Sequence, residues 1–409
     1  MQPVLSRVRD AVTTSGPQPA RIRSIDIFRG LTMLVMIFVN DLSSVKGLPW
    51  WTYHMNPKVS GMTYVDVVFP AFLFVLGMSI PLAVRRRLEQ GEPMVRLWAH
   101  IAMRSLSLVV LGLVLANAHG VDAAATRLPG QWWATLALAG AILFWLVYPA
   151  TPQRKTLCRV LKYSGLALLV LMLAVFRRKT ESAGLAWLDF RYWEILGLIG
   201  RVYLAACMLY IPLRRKAWAP AALLALLTAW NVGARLGMPT PARFVPYWLW
   251  PFDSGELPSL AMAGIVCTQL FVDSRVATAF RDKAAWALGY AAVLFAAGWA
   301  FTFLGISKNA ATPTWCLYSA GISVLVFLVI YYLVDVVRRD SWAALVKPAG
   351  SNTLLTYLLP DLFYFTCGTL YVALPLQSGW PGVVRSVVFS ACILGLSAVL
   401  TRKRIRMHL

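Results

Sequence analysis

The chain of 409 residues is 59% hydrophobic and 14% charged, with a mean hydropathy of +0.65. Soluble domains carry about 45–50% apolar and about 25% charged residues, so a cytosolic globular enzyme, a disordered chain and a secreted disulfide scaffold are excluded. The net charge of +22 would suggest nucleic acid on a soluble chain. On a polytopic membrane protein it first asks which loops hold Lys and Arg.

Residues 1–24 are polar and read as a cytoplasmic tail. A spanning helix needs about 20 apolar residues. Twelve apolar runs follow: 27–45, 64–84, 98–117, 131–149, 159–176, 193–212, 217–234, 257–273, 284–305, 313–337, 351–373 and 382–400. The run 257–273 is short and 351–373 holds Pro360 and Asp361, so eleven or twelve spans are expected. None alternates with the period of a barrel strand, which makes the class all-α, a polytopic helix bundle. The first run has no small-residue cleavage site after it and reads as an uncleaved span. Residues 25–400 form the transmembrane unit and 401–409 a basic cytoplasmic tail, without a soluble domain or internal repeat.

With both termini inside, 26 of the 39 Lys and Arg fall on inner segments, ten on outer segments and three within spans. The basic balance is therefore topology, and no nucleic acid is needed to explain it. One run goes against the rule, Arg177-Arg178-Lys179, which lands outside and suggests a miscounted span nearby. Cys158 falls in a basic loop and the other five cysteines in apolar runs, where they act as small hydrophobes. No Cys/His spacing suits a metal, and none is expected.

Ionisable groups inside spans are costly and mark function by default. They are Asp66, Arg104, Arg201, Asp361 and Arg385. Asp66 and Arg385 stand near span ends and can reach the interface. Arg104 can snorkel. Arg201 is deeper and needs a carboxylate, carbonyls or an anion. Asp361 reads equally as a helix–helix polar contact. At the start of the first run Asp26 and Arg29 are three apart and share a helix face. They serve either as a local ion pair or as a phosphate contact, and spacing does not separate the two. Of four histidines, His54 stands apart. It lies in an outer loop just before Asp66, and only imidazole titrates near neutrality without help. Surface decoration is its plainer reading.

The stretch Arg21-Ile22-Arg23-Ser24-Ile25-Asp26-Ile27-Phe28-Arg29-Gly30, then Phe38-Val39-Asn40, His54 and Asp66-Val67-Val68-Phe69-Pro70-Ala71-Phe72-Leu73-Phe74, resembles the heparan-α-glucosaminide N-acetyltransferase family. Further matches are Arg104-Ser105, Asn117, the Ile195–Arg201 segment, Phe252-Asp253-Ser254-Gly255-Glu256-Leu257, Ile306-Ser307-Lys308-Asn309 and Gly350-Ser351-Asn352. Two positions depart: Gly200 replaces the family's Gln before the intramembrane Arg, and Met55–Gly61 replaces Trp-Asn-Gly after the His.

The resemblance implies a transmembrane acetyltransferase in a bacterial inner membrane. Acetyl-CoA is held with its nucleotide at the cytoplasmic face, and the acetyl group passes to an amino-sugar or glycan acceptor outside. His54 would be the general base or a transient acetyl carrier, Asn40 its polar partner and oxyanion donor, and Asp66 its orienter. Asp26, Arg29, Arg104 and Arg201 would serve acetyl-CoA, while Asp253, Lys308 and Asn309 would read the sugar. Lysosomal relatives suggest a homodimer in the bilayer. Two rival classes are a transporter or flippase and a membrane O-acyltransferase for an envelope glycan. The latter branch also begins with a D-x-x-R-G helix but carries its His at the end of that helix, where Asn40 stands here.

Overall fold

The structure, a computed structural model, describes residues 22–148, 154–180, 184–241, 244–245, 250–272 and 279–407. Arg7, Arg9, Arg21, Arg243, Trp248, Arg275 and His408 lie outside the described residues, as does nearly all of the 1–24 tail.

Fourteen α-helices are found among the described residues. They are α1 (Arg23–Leu42), α2 (Val68–Glu89), α3 (Met94–Asn117), α4 (Ala123–Thr126), α5 (Gly130–Trp145), α6 (Lys155–Val175) and α7 (Glu194–Leu213), then α8 (Ala219–Arg235), α9 (Glu256–Val272), α10 (Phe280–Ala300), α11 (Pro313–Tyr331), α12 (Val346–Ser351), α13 (Thr353–Val372) and α14 (Gly379–Arg402). Each of the twelve predicted runs coincides with one long helix, its ends shifted by a few residues; only the short α4 and α12 are additional. Six helices are long and apolar enough to cross a membrane by length and composition alone, and α9 is a shorter apolar helix. The bundle is polytopic and helical. Its only strands among the described residues are a two-stranded antiparallel pair, β1 (Arg178–Lys179) and β2 (Leu185–Ala186).

Contacts at the helix ends show how the chain runs. At one end Arg23 meets Asp340, the Ser24 amide donates to Asp335, and the Val147 amide donates to the Arg406 carbonyl. At the other, the Gly379 amide donates to the Lys46 carbonyl, the Gly61 amide to the Ile306 carbonyl and the Asp122 amide to the Arg177 carbonyl. Segments assigned to one face by charge meet only segments of that face in these contacts. We call the first the basic end and the second the far end.

Helices in a bilayer gain nothing from burying apolar surface against one another, so they pack where backbones come close. α1 and α12 do so at Gly30 and Gly350, where a methyl group at either position would strike the other helix's backbone. A second crossing joins α3 and α7, where a Cβ on Gly200 would lie 2.8 Å from the Ser105 carbonyl oxygen. The Ser105 hydroxyl donates to the Gly200 carbonyl at 2.9 Å.

Two expectations are revised. Cys158 lies in the first turn of α6, not in a loop, because the basic segment around it is itself helical. Pro360 lies inside α13, which continues from Thr353 to Val372. Arg385 is buried against protein, 7% exposed, and finds partners there instead of standing open: it donates to Ser44 Oγ at 2.7 Å and stands 3.8 Å from Asp41. Asp41 in turn accepts from Tyr364, Tyr371 and Ser386. Arg177-Arg178-Lys179 lies at the far end as first placed. Lys179 pairs with Asp122 at 3.2 Å and Arg178 with Asp189 at 3.6 Å, so the outer cations are balanced locally.

Candidate active site

The far-end loop between α1 and α2 carries His54. Its path is fixed by Tyr53, whose hydroxyl donates to the Val45 carbonyl and accepts from the Leu48 amide. A 3₁₀ turn, Tyr64–Val67, then leads into α2 and places Asp66 outside the apolar part of that span. Thr63 and Asp66 form a capping box at its start. Asp66 is 1% exposed. Its Oδ2 accepts the amides of Met55 (3.1 Å) and Thr63 (3.0 Å), and its Oδ1 stands 2.7 Å from His54 Nδ1. The buried carboxylate is thereby satisfied on both oxygens. With Nδ1–H donating to it, Nε2 is the ring atom left to accept a proton, and 45% of the His54 side chain is open to solvent.

Lys308 completes the group from the loop between α10 and α11. Its Nζ lies 3.2 Å from both ring nitrogens of His54. Equal distances place the ammonium over the ring and not in line with either lone pair. Burial pushes Lys308 below the ordinary lysine range, and the Asp66 carboxylate acts in the opposite direction. The two loops are stitched together: the Ile306 amide donates to Ser60 Oγ at 2.9 Å and the Gly61 amide to the Ile306 carbonyl at 2.8 Å. The segment that departs from the family pattern, Met55–Gly61, thus supplies the loop's anchors. Trp315 on α11 adds another, its indole N–H donating to the Asp66 carbonyl.

His54, Asp66 and Lys308 are brought together; the other expected residues are not. Asn309 is exposed beside Lys308. Asn40, at the end of α1, makes no hydrogen bond with His54 among the described residues; its carbonyl accepts from Ser43 Oγ. It lines a separate cavity of about 290 Å³ with His119, Glu194, Tyr357, Asp361 and Tyr364. Arg201 and Asp253 meet each other: Arg201 Nη2 donates to Asp253 Oδ1 at 2.5 Å and to the Trp250 carbonyl at 2.7 Å. That answers the deep guanidinium's need for a carboxylate, and it places Arg201 near the far-end start of α7, apart from the basic-end set. In that set, Arg29 pairs with Asp26 at 3.4 Å and donates to Ser79 Oγ and the Gly350 carbonyl. Arg104 lies over the Tyr203 ring at 4.8 Å.

Sequence reading passed over Thr63, Trp315 and Glu194. The spacing Thr63-x-x-Asp66 was a visible capping signature. Nothing local marked the other two, whose partners are remote in the chain.

The family described as "Domain of unknown function (DUF5009)" matches residues 21–236, more than half of the chain. Heparan-alpha-glucosaminide N-acetyltransferase of Homo sapiens is 36% identical over 115 residues, 28% of this chain and 17% of the relative. The Mus musculus protein of the same name is 36% identical over 97 residues, 24% of this chain and 14% of the relative. The matched segment thus spans less than a fifth of the length of these curated relatives.

Proposed function

Because the chain belongs to the DUF5009 family and is similar over part of its length to two N-acetyltransferases, we propose that it is a membrane acetyltransferase. In this reading acetyl-CoA approaches from the basic end, which is cytoplasmic. The acetyl group leaves at the far end on an amino-sugar or glycan amine. The observation that carries the reading is the His54–Asp66 pair under Lys308, standing at the end opposite Arg29 and Arg104.

The chemistry follows from the ring geometry. His54 Nε2 takes a proton from the acceptor amine as the amine nitrogen attacks the thioester carbonyl carbon. The C–N bond forms and the carbonyl π pair moves onto oxygen. Lys308 Nζ, 3.2 Å from Nε2, is the cation nearest that developing charge. Collapse breaks the C–S bond, and the imidazolium returns its proton to the departing thiolate. Asp66 holds the tautomer and steadies the imidazolium between these steps. At the basic end, guanidinium forks match phosphate oxygens. Arg29 and Arg104 are the candidates there, though Arg29 must exchange some of its present contacts. Asn40 lines the cavity through which one reactant would pass.

Incubating purified protein with labelled acetyl-CoA and a panel of amino sugars tests this. Label is expected on the sugar nitrogen with wild type and absent with His54→Ala. Unchanged transfer by His54→Ala removes the base assignment, and no transfer to any amine or hydroxyl removes the enzyme.

A further inference from the structure

The cavity that holds Asn40 has a lining at odds with the rest of the chain. The protein carries 39 Lys and Arg against 17 Asp and Glu, yet none of the residues lining this cavity is Lys or Arg, and two are acidic. Asp361 projects from the middle of α13 and Glu194 from the start of α7. Glu194 uses one oxygen only: the Tyr357 hydroxyl and the amides of Ile195 and Leu196 all donate to Oε2. Oε1 is left without a hydrogen bond among the described residues. Asp361 makes no hydrogen bond and no ion pair among the described residues, and its half-buried side chain lines the cavity. Two carboxylates sharing one low-dielectric space without a cation are costly to ionise, and a bound cation offsets that cost.

The rest of the lining says which cation fits. Tyr192, Tyr357, Tyr364 and Phe365 present aromatic rings. Rings attract organic cations through their faces. His119, Glu194 and Asp361 do not draw together into a group able to hold a metal ion, since no such group occurs among the described residues. A volume of about 290 Å³ lies at the small end of ligand pockets, which span about 300–1,000 Å³. It suits one sugar ring.

We propose that this cavity is a recognition site for the ammonium group of an amino sugar, seated between Asp361 and Glu194 against the tyrosine rings. The identity of the ligand as an amino sugar rests on the acetyltransferase reading; the preference for an ammonium rests on the lining alone. The consequence is selectivity by charge. An unacetylated amine is held, whereas the neutral amide formed by acetylation loses both ionic contacts and is released.

Equilibrium binding of glucosamine, N-acetylglucosamine and glucose to the full chain in nanodiscs tests the site without turnover. Glucosamine is expected to bind at least about tenfold more tightly than either neutral sugar, the scale of one hydrogen bond to a charged group. Asp361→Asn and Glu194→Gln should each reduce that preference, while His54→Ala should keep it. Equal affinities for the three sugars overturn the proposal, as does an undiminished preference in folded Asp361→Asn. Displacement of glucosamine by millimolar sodium at constant ionic strength overturns it in favour of a metal cation. The ladder of three sugars decides the matter on wild type even if the variants do not fold. Charge-selective binding without acetyl transfer upholds the site and removes the enzymatic reading; transfer without charge selectivity does the reverse.

Discussion

At the scale of single residues, the burial of Asp66 decides what His54 can do. A carboxylate 1% exposed and held by two amides cannot rotate away, so the imidazole is fixed through Nδ1. Asp66→Asn keeps the shape but can present an amide N–H to Nδ1, favouring the wrong tautomer. Transfer should fall about 10²–10⁴-fold, the range for a misplaced general base. A single-turnover assay checks it, with acetyl-CoA affinity unchanged. Lys308→Met should lower kcat by about 10²–10³-fold with little effect on KM for acetyl-CoA, as for removal of an oxyanion donor. If KM for the sugar rises and kcat holds, Lys308 reads the acceptor instead. His54, Asp66 and Lys308 could each be singled out in the sequence. That they form one group could not, because residues 54 and 308 meet only when two distant loops are laid side by side.

At the scale of elements, the clearest case is the run Arg177-Arg178-Lys179. By charge counting it belongs on the other face, and the fold shows why it does not have to move. Asp122 caps α4 through the Ala125 amide and pairs with Lys179, while Asp189 pairs with Arg178 and Arg191. Asp189 is drawn down to about 2, first by its hydrogen bond from the Arg191 side chain. A carboxyl held lower in the folded state stabilises it above its unfolded value and ceases to do so as pH falls through the folded one. The β1–β2 pair should therefore stay docked at neutral pH and loosen between about pH 4 and pH 2. Hydrogen exchange of its amides reports this, and Asp189→Asn should abolish the transition. A second case is the α1–α12 contact. Gly350→Leu should force the helices apart and lower the thermal midpoint in detergent, because backbone blocks the new side chain.

At the scale of the whole molecule, the proposed transfer across the bilayer depends on the alternation of ends. Contacts between Ser24 and Asp335 at one end, and between Gly61 and Ile306 at the other, agree with an up-and-down order of the helices they join. In the proposed topology the excess of Lys and Arg would put the first end in the cytoplasm. Single cysteines at Arg86 and Lys179, placed on a background without native Cys, should label from opposite sides of sealed vesicles with an impermeant maleimide. Labelling from the same side would break both the topology and the proposed passage. The intramembrane charges fit this frame in three ways. Arg201 and Arg385 are closed off by Asp253 and by Asp41 with Ser44, Arg29 and Arg104 remain near the basic end, and Asp361 faces a cavity.

Hydropathy by itself determined the helical class and the twelve long helices, because crossing lipid is a demand every span must meet alone. The ordered motifs also pointed to His54 and Asn40. Tertiary structure alone decided that Lys308 sits over His54, that Arg201 answers Asp253 and that Asn40 looks into a carboxylate-lined cavity. Those pairings join residues dozens to hundreds of positions apart, and they arise from close helix approach, which local composition does not encode.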